Sequence, residues 1–293
     1  MNNLKIGIIG GGTMGNGIAH VFSIYNFNVI LVDINTIMLD NAKSHIEKNM
    51  NRQLKKGYID IEKLKSSLDR ILFSTDINDV KDCDLVIEAV KEDIDIKNKI
   101  FKQLDKLCKN STILASNTSS ISINKLSKAT NRRDKVIGMH FMNPVPVMKL
   151  VEIIVGDKTS SDCLNFIIGL TETIQKVPVK CNDSPGFVSN RILMPMINEA
   201  ALCFQEGVAT AESIDKIMKL GMGHPMGPLK LADLIGIDVC IYILNILYAD
   251  FNDIKYKPAK ILLEMNKNNK LGEKTGEGFY NYEFWINTRT EVN

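Results

Sequence analysis

Lys5-Ile6-Gly7-Ile8-Ile9-Gly10-Gly11-Gly12-Thr13-Met14-Gly15 is the stretch on which the fold turns. Its first five residues make a short apolar run suited to a fully buried strand. The glycines then satisfy G-x-G-x-x-G, a helical pattern follows from Met14 to Tyr25, and a second apolar run covers Asn28 to Val32. A glycine cluster alone makes ordinary turns. Between a strand and a helix it does more, because unpaired N–H groups and the positive end of the helix dipole face whatever anion lies there. The first glycine permits the tight turn, the second lets the backbone approach a pyrophosphate, and the third lets helix and strand pack. Gly10, Gly11, Gly12, Thr13, Met14 and Gly15 are therefore expected to hold a dinucleotide. Asp33 closes the second strand, where a carboxylate accepts hydrogen bonds from ribose hydroxyls and repels a 2′-phosphate. That favours NAD over NADP, a preference softened by the neutral Asn35. The same fingerprint also serves FAD.

Beyond this unit, apolar residues at helical spacing from Thr36 to Asp69 predict one or two solvent-facing helices. Short apolar runs then recur at Arg70–Phe73, Leu85–Glu88, Thr112–Ala115 and Val136–Met139, alternating with helical segments such as Asp95–Cys108. This is the rhythm of an α/β chain with a parallel sheet and crossover helices. Lys149–Val155 and Gln175–Val179 are further strand candidates. At Asp183-Ser184-Pro185-Gly186 the character changes, and helical periodicity runs over Val188–Phe204, Ala211–Leu220 and Leu229–Tyr248. The expected division is a nucleotide-binding domain over residues 1–184 and an all-helical domain over 185–293. The tail after Tyr282 carries the single tryptophan and fits no pattern.

Composition agrees with a chain that builds its own core: of 293 residues, 45% are hydrophobic and 24% charged. A formal net charge of +2 gives no footprint for nucleic acid or a membrane surface, so neither is expected as a partner. The six cysteines stand singly, outside any metal-ligand spacing, and read as reduced thiols. With no leader pattern at Met1–Lys5 and no apolar run of about 18 residues, a cytoplasmic location is expected.

His140 sits in GMHFMNPVP, next to the Val136–Met139 strand at the carboxyl edge of the sheet, where open α/β folds bind ligands. Glu152 follows inside the apolar LVEIIV, an expensive place for a carboxylate unless it is paired. Paired with each other, the imidazole would take a proton at neutral pH while the carboxylate fixed its tautomer. His20, His45 and His224 read as ordinary helix and turn residues. Ser116-Asn117-Thr118-Ser119-Ser120 offers hydroxyl and amide donors at the same edge, or alternatively an N-cap for the next helix. A Ser-His-Asp hydrolase is excluded, because no G-x-S-x-G elbow occurs.

Taken in order, the glycine loop, SNTSS (116–120), HFMNPVPVMKLVE (140–152), DSPGFVSNR (183–191), GHPMGP (223–228) and KTGEGFY (274–280) resemble the L-3-hydroxyacyl-CoA dehydrogenases, and among them the bacterial 3-hydroxybutyryl-CoA enzymes. The resemblance runs from about Lys5 to Tyr282. It implies a Rossmann-like, doubly wound, mostly parallel sheet with NAD as cofactor, a helical C-terminal domain that forms a homodimer, and an acyl-CoA substrate. His140 would be the general base, Glu152 its support, and Ser119 and Asn190 substrate contacts, with Ser119 also near the nicotinamide. Glu92, Lys97, Asn143 and Lys274 match NAD-contacting positions. Lys56 matches a CoA-contacting lysine, or is a solvated lysine in a Lys-rich segment. Asn49 stands where some relatives place a CoA-contacting Ser, and Met142 where Phe is common. Two other readings share the loop and the His/Glu pair: a dehydrogenase of a free hydroxy acid, such as L-gulonate 3-dehydrogenase, and a catalytically idle NAD-binding protein.

Overall fold

The computed structural model describes residues 4–282. The stretch after Tyr282 lies outside them. The chain separates into two compact units, Met1–Ser184 and Pro185–Asn293.

The first unit runs β1 (Lys5–Ile9), α1 (Thr13–Ile24), β2 (Asn28–Val32), α2 (Thr36–Lys55), α3 (Ile61–Asp69), β3 (Ile71–Ser74), β4 (Leu85–Glu88), α4 (Ile94–Leu107), β5 (Ile113–Ser116), α5 (Ile123–Ser127), β6 (Val136–Phe141), β7 (Leu150–Val155), α6 (Ser161–Thr173) and β8 (Val177–Asn182). The strands form one sheet in the order β3-β2-β1-β4-β5-β6-β7-β8. Crossing from β2 to β4 through β1 at the centre, and packing helices between strands, gives the doubly wound Rossmann-like arrangement. Every pair is parallel except β6 with β7. The reason is local: a parallel return needs a crossover of about a dozen residues or more, and the link over 142–149 holds no helix. β7 therefore folds straight back on β6, and α6 then restores a parallel β7–β8 pair.

The inner strands are buried on both faces, with Ile6, Ile8, Leu31, Leu85 and Ile87 at or near zero exposure. Burying each such side chain contributes about 1.5–3 kcal/mol, so the carboxyl edge of the sheet is a firm platform for side chains. Two strands depart from the sequence reading by two residues or more. β6 continues to Phe141 because its pairing with β7 runs that far, which brings His140 inside the strand. β8 starts at Val177 rather than Gln175, whose φ of 54° turns the chain before the strand begins, and pairing with β7 carries it to Asn182.

The second unit is helical: α7 (Ser189–Gln205), α8 (Ala211–Met222), α9 (Pro228–Ile235), α10 (Ile237–Phe251) and α11 (Lys260–Lys267). The apolar pattern over Leu229–Tyr248, read as one helix, is two. Gly236 adopts φ 104° between α9 and α10, and the two axes bend by 98°. A side chain there would be strained, and glycine is what lets both helices keep their apolar faces in one core. Buried Asp233 and Asp215 fasten this core. Asp233 accepts the N–H groups of Phe279 and Tyr280 and the Tyr282 hydroxyl. Asp215 accepts Leu229 N–H, Lys230 N–H and the Tyr280 hydroxyl. Among the described residues no single helix is long and apolar enough to cross a membrane.

Candidate active site

The glycine loop is shaped first by its own chain. Gly10 takes φ 107°, and a Cβ on Gly15 would stand 1.7 Å from the Gly10 carbonyl oxygen, so only glycine lets α1 start against β1. Gly12, the N-cap of α1, is different: a Cβ there would meet nothing within 4 Å. No side chain caps α1, and its first turn carries no acidic residue. The exposed N–H groups of that turn thus keep their affinity for an anion.

Asp33 lies beside the loop. Its Oδ2 accepts the Gly11 N–H at 2.7 Å and its Oδ1 accepts the Asn35 N–H at 3.1 Å. The carboxylate thereby braces the turn and, with two lone-pair sites per oxygen, retains capacity for ribose hydroxyls. Asn35 is occupied as the cap of α2, accepting Ile37 N–H at 2.8 Å. An uncapped helix start and an open glycine supply donors for the pyrophosphate of NAD, and the adjacent carboxylate supplies an acceptor for its ribose.

Along the same edge, the serine loop that follows β5 is organised by acids that the sequence reading either missed or placed elsewhere. Glu88, at the end of β4, is completely buried and stands in register with Ser116. Its Oε2 accepts the Ser116 hydroxyl at 2.6 Å, and its Oε1 accepts Val90 N–H at 2.7 Å and Lys97 Nζ at 2.6 Å. Glu92 receives the other side of the loop: its Oε1 accepts Ser119 N–H at 3.0 Å, Ser120 N–H at 3.1 Å and the hydroxyls of Thr118 and Ser120. Burial alone would raise the Glu92 carboxyl, but Lys97 and the Thr118 and Ser120 hydroxyls outweigh it and hold Glu92 below the usual carboxylate range. Burial pushes Glu88 up, with Lys97, Ser116 and Val90 opposing. The alternative role of the serine loop as a helix cap falls to Ser122, whose hydroxyl accepts Lys125 N–H.

Lys97, matched to a cofactor-contacting position, is turned inward. Its side chain is 1% exposed, and its ammonium reaches Glu88 at 2.6 Å, Glu92 at 3.2 Å and the Val90 carbonyl at 3.4 Å. Three donors meet three acceptors within the protein.

His140 and Glu152 are directly opposed across the β6–β7 ladder, so their side chains share one face. His140 Nδ1 and Glu152 Oε2 are 2.7 Å apart, both residues buried. Asn117, which carried no assigned role, ties the serine loop to this strand: its Oδ1 accepts Phe141 N–H at 3.0 Å. Lys176 was missed too. Its buried ammonium donates to the carbonyls of Val145 and Met148, both at 2.6 Å, and so fixes the segment that follows exposed Asn143.

Asn49 lies toward the end of α2 and Lys56 is the residue that caps it, Lys56 exposed and Asn49 accepting from Arg52 at 3.4 Å. Asn190 and Lys274 belong to the second unit. Asn190 is buried in the first turn of α7, and Lys274 Nζ donates to Asp238 Oδ1. His20 is a core residue, its Nε2 3.1 Å from Gln53 Oε1, and burial lowers its pKa to about 4. All six cysteines are free thiols, and burial pushes Cys83, Cys163 and Cys240 up to about 12, which leaves them poor nucleophiles.

Comparison with known proteins gives a consistent result. Residues 5–184 match the 3-hydroxyacyl-CoA dehydrogenase NAD binding domain, and residues 186–282 match the C-terminal domain of the same family. A probable 3-hydroxybutyryl-CoA dehydrogenase of Deinococcus radiodurans is 50% identical, over 95% of this chain and 100% of that protein. The 3-hydroxybutyryl-CoA dehydrogenase of Clostridioides difficile is 48% identical, over 95% and 99%. Among solved structures, the (S)-3-hydroxybutyryl-CoA dehydrogenase of Ralstonia eutropha superposes with a TM-score of 0.92 at 46% identity, covering 95% of this chain and 99% of that one. The chain belongs to the 3-hydroxyacyl-CoA dehydrogenase family.

Proposed function

We propose that this protein catalyses the reversible, NAD-dependent oxidation of a short-chain L-3-hydroxyacyl-CoA, 3-hydroxybutyryl-CoA, to the 3-ketoacyl-CoA. The observation that carries the reading is the buried His140–Glu152 pair at 2.7 Å, standing at the same sheet edge as a glycine loop fit for a dinucleotide. NAD, when bound, accepts the hydride that leaves C3. His140 takes the hydroxyl proton at Nε2, the ring nitrogen opposite the one Glu152 holds, and the carboxylate stabilises the imidazolium that forms. The O–H and C3–H bonds break as the carbonyl forms, and the chain's task is to hold these groups at near-attack distance, roughly 3–3.5 Å.

In this reading Ser119 and Asn190 contact the substrate, and Gly10 to Gly15, Asp33, Glu92, Asn143 and Lys274 hold the cofactor. Asn49 and Lys56 meet the CoA portion. The helical unit forms a homodimer, for which exposed Ile192, Ile217, Leu220 and Met222 supply apolar surface. The enzyme works in the cytoplasm, without nucleic acid or membrane as partner.

NADH consumption with acetoacetyl-CoA, compared with the free acid, tests the substrate. Activity with the thioester alone is expected, and a preference for the free acid overturns it. His140→Gln is expected to lower turnover by about two orders of magnitude or more with NADH still bound. Near-normal turnover sinks the role of His140.

A further inference from the structure

The cluster Glu88–Lys97–Glu92 holds three ionisable groups, two of them fully buried, that take no part in the proton and hydride steps. A buried ammonium needs one carboxylate to avoid a large desolvation penalty. Here it has two. Glu88 is the inner one, fixed by Ser116 and Val90, and with Lys97 it forms a neutral pair. Glu92 is the outer one, and its two oxygens are divided: Oε2 faces the ammonium at 3.2 Å, while Oε1 gathers backbone and hydroxyl donors from the serine loop. With Oε2 held by Lys97, Oε1 has one direction in which to point, and that direction is the backbone of Ser119 and Ser120. Lys97 directs its three donors to acceptors inside the protein, and Glu92 is the one of them that reaches Ser119 in the serine loop.

We propose that Lys97 is a positioning residue for Ser119: Glu88 anchors its ammonium beneath Glu92, and Glu92, oriented by that ammonium, fixes the backbone of Ser119 and Ser120. The importance of Ser119 rests on the function proposed above; the clamp itself rests on the hydrogen bonds. The charged groups around Glu92 are Lys97 from α4 and Glu88 from β4. Neighbouring Asp93 is turned to the N–H groups of Asp95 and Ile96, and Lys91 is exposed. Loss of Lys97 removes the largest influence that opposes burial, so the Glu92 carboxyl titrates higher and its protonated form is a weaker acceptor for the two amides.

Hydrogen exchange over residues 117–121, corrected for intrinsic rates and followed at about pH 5 and about pH 8, reads this directly. The unsubstituted protein is expected to protect the segment equally at both. In Lys97→Met, protection at the lower pH is expected to fall about tenfold below that at the higher, as one proton enters Glu92. Glu88→Gln/Lys97→Met removes the stranded inner carboxylate. It is expected to melt near the unsubstituted protein while keeping the pH-dependent loss, which makes it the test if the single variant folds poorly. Protection unchanged at both pH values, or lost equally at both, overturns the proposal. Ser119→Ala turnover is measured separately. If that is normal while the pH-dependent loss is seen, the clamp stands and the catalytic role of Ser119 does not.

Discussion

Glu152→Gln isolates what the carboxylate does for His140. The amide is nearly the same size and still presents an oxygen to Nδ1, so the hydrogen bond and the packing between β6 and β7 are retained. Only the charge is removed. The two side chains are 10% and 5% exposed, so water screens them weakly. Two unit charges about 4 Å apart at an effective dielectric of about 20 interact by about 4 kcal/mol. The neutral hydrogen bond that survives in the variant recovers about half of a charge-assisted one. The imidazolium formed as the substrate loses its proton is therefore less stable by about 2–4 kcal/mol. At about 1.4 kcal/mol per decade, turnover falls about 30- to 1,000-fold. The glycine loop and Asp33 follow β1 and β2, which β4 and β5 separate from β6, so NADH affinity is expected to stay within about twofold. The assay is steady-state NADH oxidation with acetoacetyl-CoA, beside a fluorescence titration of NADH. Turnover within about threefold of the unsubstituted enzyme, with NADH bound normally, refutes the argument that the carboxylate stabilises the imidazolium.

Three further outcomes follow from the same contacts. Asp33→Ala removes both a ribose acceptor and the brace on Gly11, and is expected to weaken NAD binding while relaxing discrimination against NADP; an unchanged NAD/NADP ratio in direct titrations counts against that role. Gly15→Ala places a Cβ 1.7 Å from the Gly10 oxygen and Gly12→Ala places one in open space, so the first is expected to lower both melting temperature and NADH binding, and the second to lower binding alone. Equal melting losses in the two contradict the distinction. His20 takes a proton near 6.5 when unfolded and only near 4 when folded, because burial opposes its charge. The unfolded chain therefore binds more protons in that window, and stability declines as pH falls through it, by about 3 kcal/mol at order of magnitude. Urea unfolding of His20→Gln at both ends of the window should show a shallower decline; an equal one removes His20 as the cause.

The strands were legible because buried parallel strands read as near-continuous apolar runs, and KIGII, NVILV and DLVIE are short and rich in β-branched residues. His140 and Glu152 were legible as individuals: one is an imidazole beside a strand, the other a carboxylate where the pattern calls for an apolar residue. Glu88 carries the same signal, a carboxylate ending an apolar run, yet it was passed over. Its meaning lies in Ser116, its register partner on β5, and a register across a crossover helix is not written in either segment. Lys97 was legible only as a match to an NAD-contacting position; its burial was not, because a lysine at a buried helical position is indistinguishable from an exposed one until the strand beneath it is placed. The break at Gly236 was hidden for the opposite reason. An isolated glycine inside an apolar helical pattern is commonly tolerated, and only the need to fold both halves into one core selects the bend.

What the chain requires for its own fold and what it keeps for a ligand can be told apart at single residues. Gly10 and Gly15 are demanded by the backbone: one by its φ, the other by the carbonyl it would strike. They would be glycine whether or not anything bound. Gly12 is demanded by nothing within the chain, and the helix it opens lacks the side-chain cap that Asn35, Asp60, Asp93 and Ser122 give to α2, α3, α4 and α5. The first unit caps α2 to α6 with side chains and leaves α1 bare, giving up about 1 kcal/mol of stability there. Glu152 makes the same point on β7, since an apolar residue would pack in that strand without needing a charged neighbour. Two places where local rules are broken without evident benefit to the fold are the uncapped α1 and the buried His140–Glu152 pair. Function is expected at such departures, and both stand at the carboxyl edge of one sheet, at the distance from each other that its strand order sets.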